Sequence, residues 1–369
     1  MSLFIGLMSG TSMDAIDAVL VRHDAHPPKI IARHSHEIPE AIQRKLTTVV
    51  EGKYDGPVLW QLDAELGELF AVTVTELLAQ AGIEPGDVEA IGSHGQTIYH
   101  GPEDTPPVTV QIADPNIIAD RTGITTVADF RRRDLAAGGQ GAPLAPCFHN
   151  AIFQSADSAR VVVNIGGIAN ITVLPRDSNA AVIGFDTGPG NTLMDLWCGR
   201  HRGQAMDKNG EFAAEGSLIQ SLLSEFLRDP YFERPPPKST GREYFNLPWL
   251  ERILEATDCQ ASKPEDVQRT LLELTAAGIS EAIAVHAPET QEVFVCGGGA
   301  HNAVLMETLS ARMDTRTVTS TASTGIDPEW IEAVAFSWMA KKTLAGEASN
   351  LPSVTGAERA VILGGIYRA

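Results

Sequence analysis

The sequence is poor in cysteine and in basic residues, and these shortages argue against several classes of protein. Its four cysteines stand alone, without a Cys-x-x-Cys pair, so neither a zinc site nor a disulfide framework is predicted. Lys and Arg total 28 against 47 Asp and Glu, and a net charge of −19 disfavours nucleic acid or an anionic membrane as partner. Long apolar runs and a signal-peptide pattern are also missing. We therefore expect a cytoplasmic protein that binds neither membrane nor nucleic acid.

The length and the glycine content indicate a two-domain α/β protein. The chain has 369 residues, of which 43% are apolar, enough for two hydrophobic cores. Its 33 glycines and 22 prolines are typical of a fold with many tight loops. We predict an N-terminal domain over residues 1–130, completed by the segment near 345–369, and a C-terminal domain over residues 131–344.

Residues 181–191, with the sequence AVIGFDTGPGN, form the stretch around which the other motifs are arranged. The β-branched start predicts a buried strand, and Gly-Pro-Gly predicts that the strand ends there. Asn191 is then expected to cap a helix. A strand, a glycine turn and a helix start together favour phosphate binding, and Asp186 at the strand end would bind a metal or accept a proton. The alternative is an Asx-turn before a tight loop.

Two further glycine turns follow apolar strands. Residues 3–8 and 15–21 predict a hairpin whose tip is rich in Gly, Ser and Thr, and in which Asp14 and Asp17 could hold a metal through water. Residues 160–173 repeat this design around Gly166 and Gly167, which hints at duplication. The run VFVCGGGAHN over residues 293–302 suits a nucleoside, because glycines let a flat ring approach the backbone.

Several polar side chains lie near these turns, and each has a structural alternative. His94 and Gln96 follow a predicted strand, and His94 is either a hydrogen-bonded structural residue or part of a site. Arg131 belongs to a basic triplet. This triplet either lies in a solvated turn or supplies an arginine whose guanidinium binds a carboxylate or phosphate through two hydrogen bonds. The loop over residues 234–242 either faces a phosphate or braces two helices. Glu332 interrupts an apolar helix, as an exposed turn or as a buried carboxylate.

The order of the three glycine turns resembles the actin, hexokinase and Hsp70 ATPase fold. In that fold two related α/β domains of the ribonuclease H type close on ATP in a central cleft. The resemblance therefore implies a duplicated two-domain α/β fold.

Longer motifs resemble the anhydro-N-acetylmuramic acid kinase family over nearly the whole chain. They are GLMSGTSMD from Gly6, GSHGQT from Gly92, DFR from Asp129, AAGGQGAP from Ala136, NIGGIAN from Asn164 and GFDTGPGN from Gly184. One departure is Ala15, where the family usually has Gly.

The resemblance implies an ATP-dependent opening of 1,6-anhydro-N-acetylmuramic acid, a step in the recycling of peptidoglycan. Water adds at C1 and O6 takes the γ-phosphoryl group, which gives N-acetylmuramic acid 6-phosphate. By the same resemblance Asp186 is the base and Glu332 helps to orient the water, with ATP and Mg²⁺ as cofactors and a homodimer as the assembly. Two alternatives stay open: an ordinary amino-sugar kinase of the same fold, and an ATP-gated binding or filament protein.

The site residues fall into two groups. Those expected to bind ATP are Gly10, Thr11, Ser12, Met13, Asp14, Ala15, Ile16, Asp17, Asn164, Gly166, Gly167, Gly188, Gly190, Asn191, Gly297, Gly298 and Asn302. Those expected to bind the sugar are His94, Gln96, Arg131, Gly139, Gln140 and Gly141, with Arg131 assigned to its lactyl carboxylate.

Overall fold

The computed structural model describes residues 2–10, 12–54 and 56–369 and divides the chain into two compact units. Unit 1 comprises Met1–Ile152 with Trp330–Ala369, and unit 2 comprises Phe153–Glu329. The predicted boundaries at 130/131 and 344/345 therefore differ from the observed divisions at 152/153 and 329/330. The second difference arises because the helix over residues 331–344 packs on strands of unit 1.

The elements are given in chain order for the described residues. The strands are β1 (Leu3–Met8), β2 (Ala15–Arg22), β3 (Lys29–Glu37), β4 (Val88–Ser93), β5 (Gln96–Gly101), β6 (Val108–Ile112), β7 (Thr126–Ala128), β8 (Arg160–Ile165), β9 (Ile168–Leu174), β10 (Ile183–Pro189), β11 (Glu292–Cys296), β12 (Thr317–Ser320) and β13 (Gly365–Tyr367). The α-helices are α1 (Glu40–Val50), α2 (Gly56–Ala81), α3 (Pro115–Thr122), α4 (Phe130–Ala136), α5 (Ala145–Phe153), α6 (Thr192–Arg202), α7 (Glu211–Ala214), α8 (Gln220–Phe226), α9 (Pro230–Glu233), α10 (Leu247–Ala256), α11 (Pro264–His286), α12 (Ala303–Arg312), α13 (Ile331–Leu344) and α14 (Pro352–Thr355).

Unit 1 is built on a mixed sheet in the order β13-β7-β4-β1-β2-β3. Strands β1, β2 and β3 form an antiparallel meander, and β4 and β7 continue the sheet in parallel with β1. Helix α2 covers one face through the buried side chains Leu66, Phe70 and Val74. Helix α13 packs on β1 and β4 so closely that a Cβ at Gly6 would lie 1.8 Å from the carbonyl oxygen of Ala333.

Unit 2 repeats this strand order. Its sheet runs β10-β9-β8-β11-β12, with β8, β9 and β10 antiparallel and with β11 and β12 parallel to β8. The meander β8–β10 therefore corresponds to β1–β3, and β11 and β12 correspond to β4 and β7. This repetition confirms the predicted duplicated α/β fold.

One local prediction was wrong. Strand β10 continues through Gly188 and Pro189 instead of ending at the Gly-Pro-Gly run. It can do so because β10 is an edge strand, where proline is tolerated, and because its register shifts between Asp186 and Gly188. Among the described residues, no helix is long and apolar enough to cross a membrane.

Candidate active site

The tip between β1 and β2 is a compact polar turn. Ser12 Oγ donates to Asp14 Oδ1 at 2.6 Å, and the Ala15 N–H donates to the same oxygen at 3.0 Å. The Met13 N–H donates to the carbonyl of Gly10 at 3.2 Å. Asp14 is exposed. Thr11, predicted to bind ATP, lies outside the described residues.

Asp17 and Glu332 lie in the same part of unit 1. Ser35 Oγ of β3 donates to Asp17 Oδ1 at 2.8 Å. Glu332, in the first turn of α13, is partly buried. Burial raises the pKa of Glu332, Arg131 opposes the rise, and Asp17 adds to it. The sequence left two alternatives for Glu332, an exposed turn of helix or a buried carboxylate. The structure shows a partly buried carboxylate. The side chain of Ile16, by contrast, is fully buried in the core, so only its backbone can face a ligand.

Arg131 and His94 form a buried pair that links β4 to the glycine loop after α4. The Arg131 guanidinium donates from Nε and Nη2 to His94 Nε2 at 3.1 and 2.9 Å, and from Nη1 to the carbonyl of Gly141 at 2.9 Å. Because Nε2 accepts these bonds, the imidazole is neutral with its proton on Nδ1. Burial and the Arg131 cation hold the pKa of His94 well below its ordinary value. Burial lowers the pKa of Arg131 to about 10, so Arg131 stays cationic at neutral pH.

Gln96 is also buried, and its side chain binds the end of β1. Ser9 Oγ donates to Gln96 Oε1 at 2.7 Å, and the Gln96 amide donates to the carbonyl of Thr97 at 3.1 Å. The structure thus brings together His94, Gln96, Arg131 and Gly141, which the sequence predicted separately. Three donors of the Arg131 guanidinium are engaged within the protein, which leaves two N–H groups for a substrate carboxylate.

Asp134 anchors the glycine loop and was missed from the sequence. It is fully buried and accepts from the Gly141 N–H at 2.8 Å, from Asn350 Nδ2 at 2.7 Å and from Thr355 Oγ1 at 2.8 Å. The N–H of Gln140 donates to the carbonyl of Thr355 at 2.8 Å. A carboxylate beside a basic triplet gave no signal in the sequence, because two of its three partners, Asn350 and Thr355, lie more than 200 positions away.

Asp186, in the middle of β10 in unit 2, is held by the loop over residues 234–242. The Thr240 N–H donates to Asp186 Oδ2 at 3.0 Å, and the Asp186 N–H donates to the carbonyl of Lys238 at 3.1 Å. The Tyr231 hydroxyl donates to the Asp186 carbonyl at 2.7 Å. This loop therefore braces the strand that carries the carboxylate.

The electrostatic surroundings of Asp186 suit a base. Burial raises its pKa to about 6, and the neighbouring Glu243 also raises it, whereas the Thr240 N–H and the Lys238 cation lower it. Lys238 is fixed by its own bonds, with Nζ 3.2 and 3.3 Å from the carbonyls of Tyr231 and Phe232. A carboxylate with this pKa is mostly ionised at pH 7 and is more basic than an ordinary Asp.

The predicted phosphate cradle at residues 188–191 needs correction. The N–H groups of Gly190, Asn191 and Thr192 donate to the carbonyls of Gly166 and Gly167 at 2.8–3.1 Å. Because these N–H groups bond the two turns to each other, they are not available to bind a phosphate in this structure. Gly190 is required for this contact, because a Cβ there would lie 2.3 Å from the carbonyl oxygen of Gly166. Asn191 starts α6 by position, but its side chain donates to the carbonyl of Ile165 instead of capping the helix.

Other polar groups surround the Gly166–Gly167 turn. A Cβ on Gly167 would lie 2.8 Å from Thr192 Oγ1 and 3.1 Å from Nε of Arg242. The Thr192 hydroxyl is buried and has no hydrogen-bond partner within the described chain. Arg242 and Thr192 therefore replace the helix N–H groups as candidate phosphate ligands. Thr192 was not predicted, whereas Arg242 belongs to the loop for which a phosphate was one of two alternatives.

The third glycine turn lies beside the hairpin turn. A Cβ on Gly297 would lie 2.3 Å from Asn164 Oδ1, and one on Gly298 would lie 3.8 Å from Asn191 Nδ2. Asn164, Gly166, Gly167, Gly190, Asn191, Gly297 and Gly298 are therefore neighbours, as predicted for one binding region. Asn302 is nearly buried and caps α12 by accepting from the Leu305 N–H at 3.0 Å, so its side chain has a structural role.

A cavity of about 390 Å³ opens next to this turn. It is lined by Ala300, His301, Ser320, Ala322, Gly325, Asp327 and Pro328. This volume falls in the range of small-ligand sites. The residues that line it follow Gly298 along the chain.

The magnesium prediction fits the residues in part. The Asp14 and Asp17 carboxylates offer the hard oxygen ligands that Mg²⁺ prefers, and Mg²⁺ commonly keeps several waters. Asp14 Oδ1 and Asp17 Oδ1 accept hydrogen bonds from Ser12 and Ser35, which hold both carboxylates in place.

Comparison with known proteins gives matches over the full length of the chain. The family model for anhydro-N-acetylmuramic acid kinase matches residues 2–369. The anhydro-N-acetylmuramic acid kinase of Shewanella amazonensis is 52% identical over 369 residues, covering 100% of this chain and 99% of that protein. The enzyme of the same name from Coxiella burnetii is 49% identical over 365 residues, covering 99% and 97%.

Solved structures with a related chain trace are more distant. The activator of the 2-hydroxyisocaproyl-CoA dehydratase from Clostridium difficile, solved with bound ADPNP, has a TM-score of 0.48 and 12% identity over 93% of this chain and 97% of that one. A glucokinase of the ROK family from Streptomyces griseus, in complex with glucose and AMPPNP, has a TM-score of 0.43 and 12% identity over 92% and 100%. The two full-length relatives and the match of the family model place this chain in the anhydro-N-acetylmuramic acid kinase family.

Proposed function

We propose that this protein is an ATP-dependent kinase that hydrolytically opens 1,6-anhydro-N-acetylmuramic acid and phosphorylates O6. Membership of the family supports the activity. The observation on which the mechanism depends is Asp186, a carboxylate on β10 that is braced by the loop over residues 234–242 and whose pKa burial raises to about 6.

The proposed reaction conserves every atom. Asp186 takes a proton from water while the oxygen of that water forms a bond to C1 of the sugar, on the face opposite the leaving O6. The C1–O6 bond breaks, and O6 takes the γ-phosphoryl group of ATP, which releases ADP. A general acid is not needed at O6, because phosphorus captures the oxygen. Glu332 orients the water, and Arg131 with its neighbours His94, Gln96 and the loop over residues 138–141 binds the sugar.

By the family resemblance, we assign the triphosphate of ATP to the tip over residues 10–17 and to the turns at Gly166 and Gly297. We assign the nucleoside to the cavity beside His301. Mg²⁺ would be held through water by Asp14 and Asp17, and when bound it neutralises charge on the phosphates. We also propose a cytoplasmic homodimer. The four cysteines are free, which suits a reducing compartment, and the dimer follows from the family resemblance.

A coupled assay of ADP release against a panel of amino sugars tests the proposal. The anhydro sugar is expected to be the best substrate, and labelled water is expected to enter at C1. An ordinary amino-sugar kinase would instead prefer N-acetylmuramic acid itself and take up no label. Sedimentation with and without ATP measures the assembly, and a nucleotide-dependent filament would favour the third class of function.

The pH profile is expected to report on Asp186. Because the base must be ionised, kcat/KM should fall by about tenfold per unit below pH 6. Lys238→Met removes a cation that lowers the pKa of Asp186, so the acidic limb should move to higher pH. The rate between pH 5 and 9 measures this, with Lys263→Met as the control, since Lys263 is an exposed lysine that is not among the groups acting on Asp186. An unmoved limb in Lys238→Met would contradict the assignment.

Arg131→Ala is expected to raise the KM for the sugar by at least about tenfold, because a guanidinium–carboxylate pair is a strong hydrogen-bonded contact. The KM for ATP should change much less. Initial rates over a matrix of both substrates separate the two constants. Arg132→Ala is the matched control, because Arg132 is exposed and pairs with Asp129 at 2.7 Å. If the sugar KM stays constant, carboxylate recognition lies elsewhere.

A further inference from the structure

We propose that His34, His36 and Glu76 form a binding site for a divalent first-row transition ion, with Zn²⁺ as the best fit. These residues play no part in the reaction proposed above. The absence of cysteine pairs spoke against zinc, but this cluster uses imidazole and carboxylate ligands, and its third member is 40 positions from the second.

The fold puts the two histidines on one face of an edge strand. His34 and His36 are two residues apart on β3, so their side chains point to the same side of the sheet. They lie opposite Ala18 and Ile16 of β2, which are fully buried on the face covered by α2. The imidazoles therefore border the hydrophobic core, and their side chains are only 26% and 23% exposed.

Helix α2 supplies the third ligand from above the strand. Glu76 Oε2 lies 2.9 Å from His34 Nε2 and 2.7 Å from His36 Nδ1. Each of the three side chains offers one ligand atom, and these three atoms all lie within 4.8 Å of one another. The imidazole rings meet edge to face, with centroids 6.3 Å apart, so both ring nitrogens converge on one carboxylate oxygen.

The spacing is close to that of a zinc site. Zn–N and Zn–O bonds of about 2.0–2.1 Å at tetrahedral angles separate two ligand atoms by about 3.3 Å. The observed nitrogen–oxygen distances of 2.7 and 2.9 Å therefore need to lengthen by only a few tenths of an ångström. Rotation of the half-exposed Glu76 side chain can provide this movement, since it is 44% exposed. A fourth position stays open for water.

The ligand atoms of this site differ from those of the Mg²⁺ site proposed for ATP. Imidazole nitrogens favour Zn²⁺, Co²⁺ or Ni²⁺, whereas Mg²⁺ favours oxygen ligands. Ser35, between the two histidines, points to the opposite face of β3 and donates to Asp17. An ion on the helix side would fasten β3 to α2, and so fix the strand that positions Asp17 on the other face.

A titration of the full-length protein with CoCl₂, followed by visible absorption in excess MgCl₂, tests the proposal. Four-coordinate Co²⁺ absorbs in the visible region, so the intensity reports the geometry as well as the stoichiometry. One equivalent is expected to bind, and ZnCl₂ is expected to displace it. Calorimetry with ZnCl₂ gives the affinity directly.

Variants assign the site. His36→Gln and Glu76→Gln should each weaken Zn²⁺ binding by at least about tenfold, because each removes one of three protein ligands. The matched control is His301→Gln, which alters the exposed group of His301, Asp327 and Glu329 in unit 2 and should leave this equivalent intact. Circular dichroism and the metal-free melting temperature show whether each variant folds. The proposal fails if the wild type shows no Co²⁺ band, or if His301→Gln removes it while His36→Gln does not.

Discussion

Replacing Asp186 by Asn is expected to reduce sugar-dependent ADP release by at least about a hundredfold. General bases commonly contribute that factor or more, and an amide cannot accept the proton of water. The variant should still fold around the same contacts, because Asn Oδ1 can accept from the Thr240 N–H that Asp186 binds at 3.0 Å. A coupled assay at saturating ATP and sugar measures the loss.

The same variant is expected to be more stable than the wild type at pH 7. The folded pKa of Asp186, about 6, lies above the ordinary 3.8, so the folded state binds this proton more tightly than the unfolded state does. Ionisation therefore destabilises the wild type progressively as pH rises from about 4 to 6, and the cost is complete above that range. Removing the charge should raise the free energy of unfolding by on the order of 1–2 kcal/mol. Denaturant unfolding at pH 7 measures it.

Asp195→Asn is the matched control for both readouts. Burial raises the pKa of Asp195 to about 7, yet this residue lies in the first turn of α6 and not on β10. It should therefore gain stability without a hundredfold loss of rate. Near-normal turnover in Asp186→Asn, or an equal loss in both variants, would remove Asp186 from the role of base.

Asp134→Ala is expected to destabilise the protein by about 3 kcal/mol and to raise the KM for the sugar. The change leaves the donors of Gly141, Asn350 and Thr355 without their acceptor in a fully buried position. It also releases the glycine loop to which Arg131 donates. Thermal unfolding and substrate titration measure the two effects.

Asp120→Ala serves as the comparison for this change. Asp120 is 75% exposed and pairs with its neighbour Arg121, so its loss should alter stability by less than about 0.5 kcal/mol. If Asp134→Ala unfolds at the wild-type temperature, the anchor is not needed. If stability falls while the sugar KM is unchanged, the loop does not bind the sugar.

The sequence was most informative where function depends on contiguous residues. The glycine hairpins and the repeated design of the two units could be predicted, because turn chemistry and β-branched runs act locally. The identity of the polar neighbours could not. Thr240 reaches Asp186 across 54 positions, and Asn350 reaches Asp134 across 216, so only the folded chain shows these contacts.

The phosphate cradle failed as a prediction for a related reason. A glycine turn before a helix predicts free N–H groups, but the neighbouring hairpin turn uses those of Gly190, Asn191 and Thr192. Whether such N–H groups bind a ligand or the protein's own carbonyls depends on which turns become neighbours in the fold. The sequence motif is the same in either case.

The division of unit 1 into two chain segments has a consequence for biosynthesis. Helix α13 covers Gly6 and β4, but it follows unit 2 along the chain. A ribosome therefore completes Phe153–Glu329 before it makes the helix that the earlier strands require. In this order of synthesis unit 2 can fold first, while one face of the N-terminal sheet stays uncovered until α13 has been made. Chaperones would bind this exposed face during that interval.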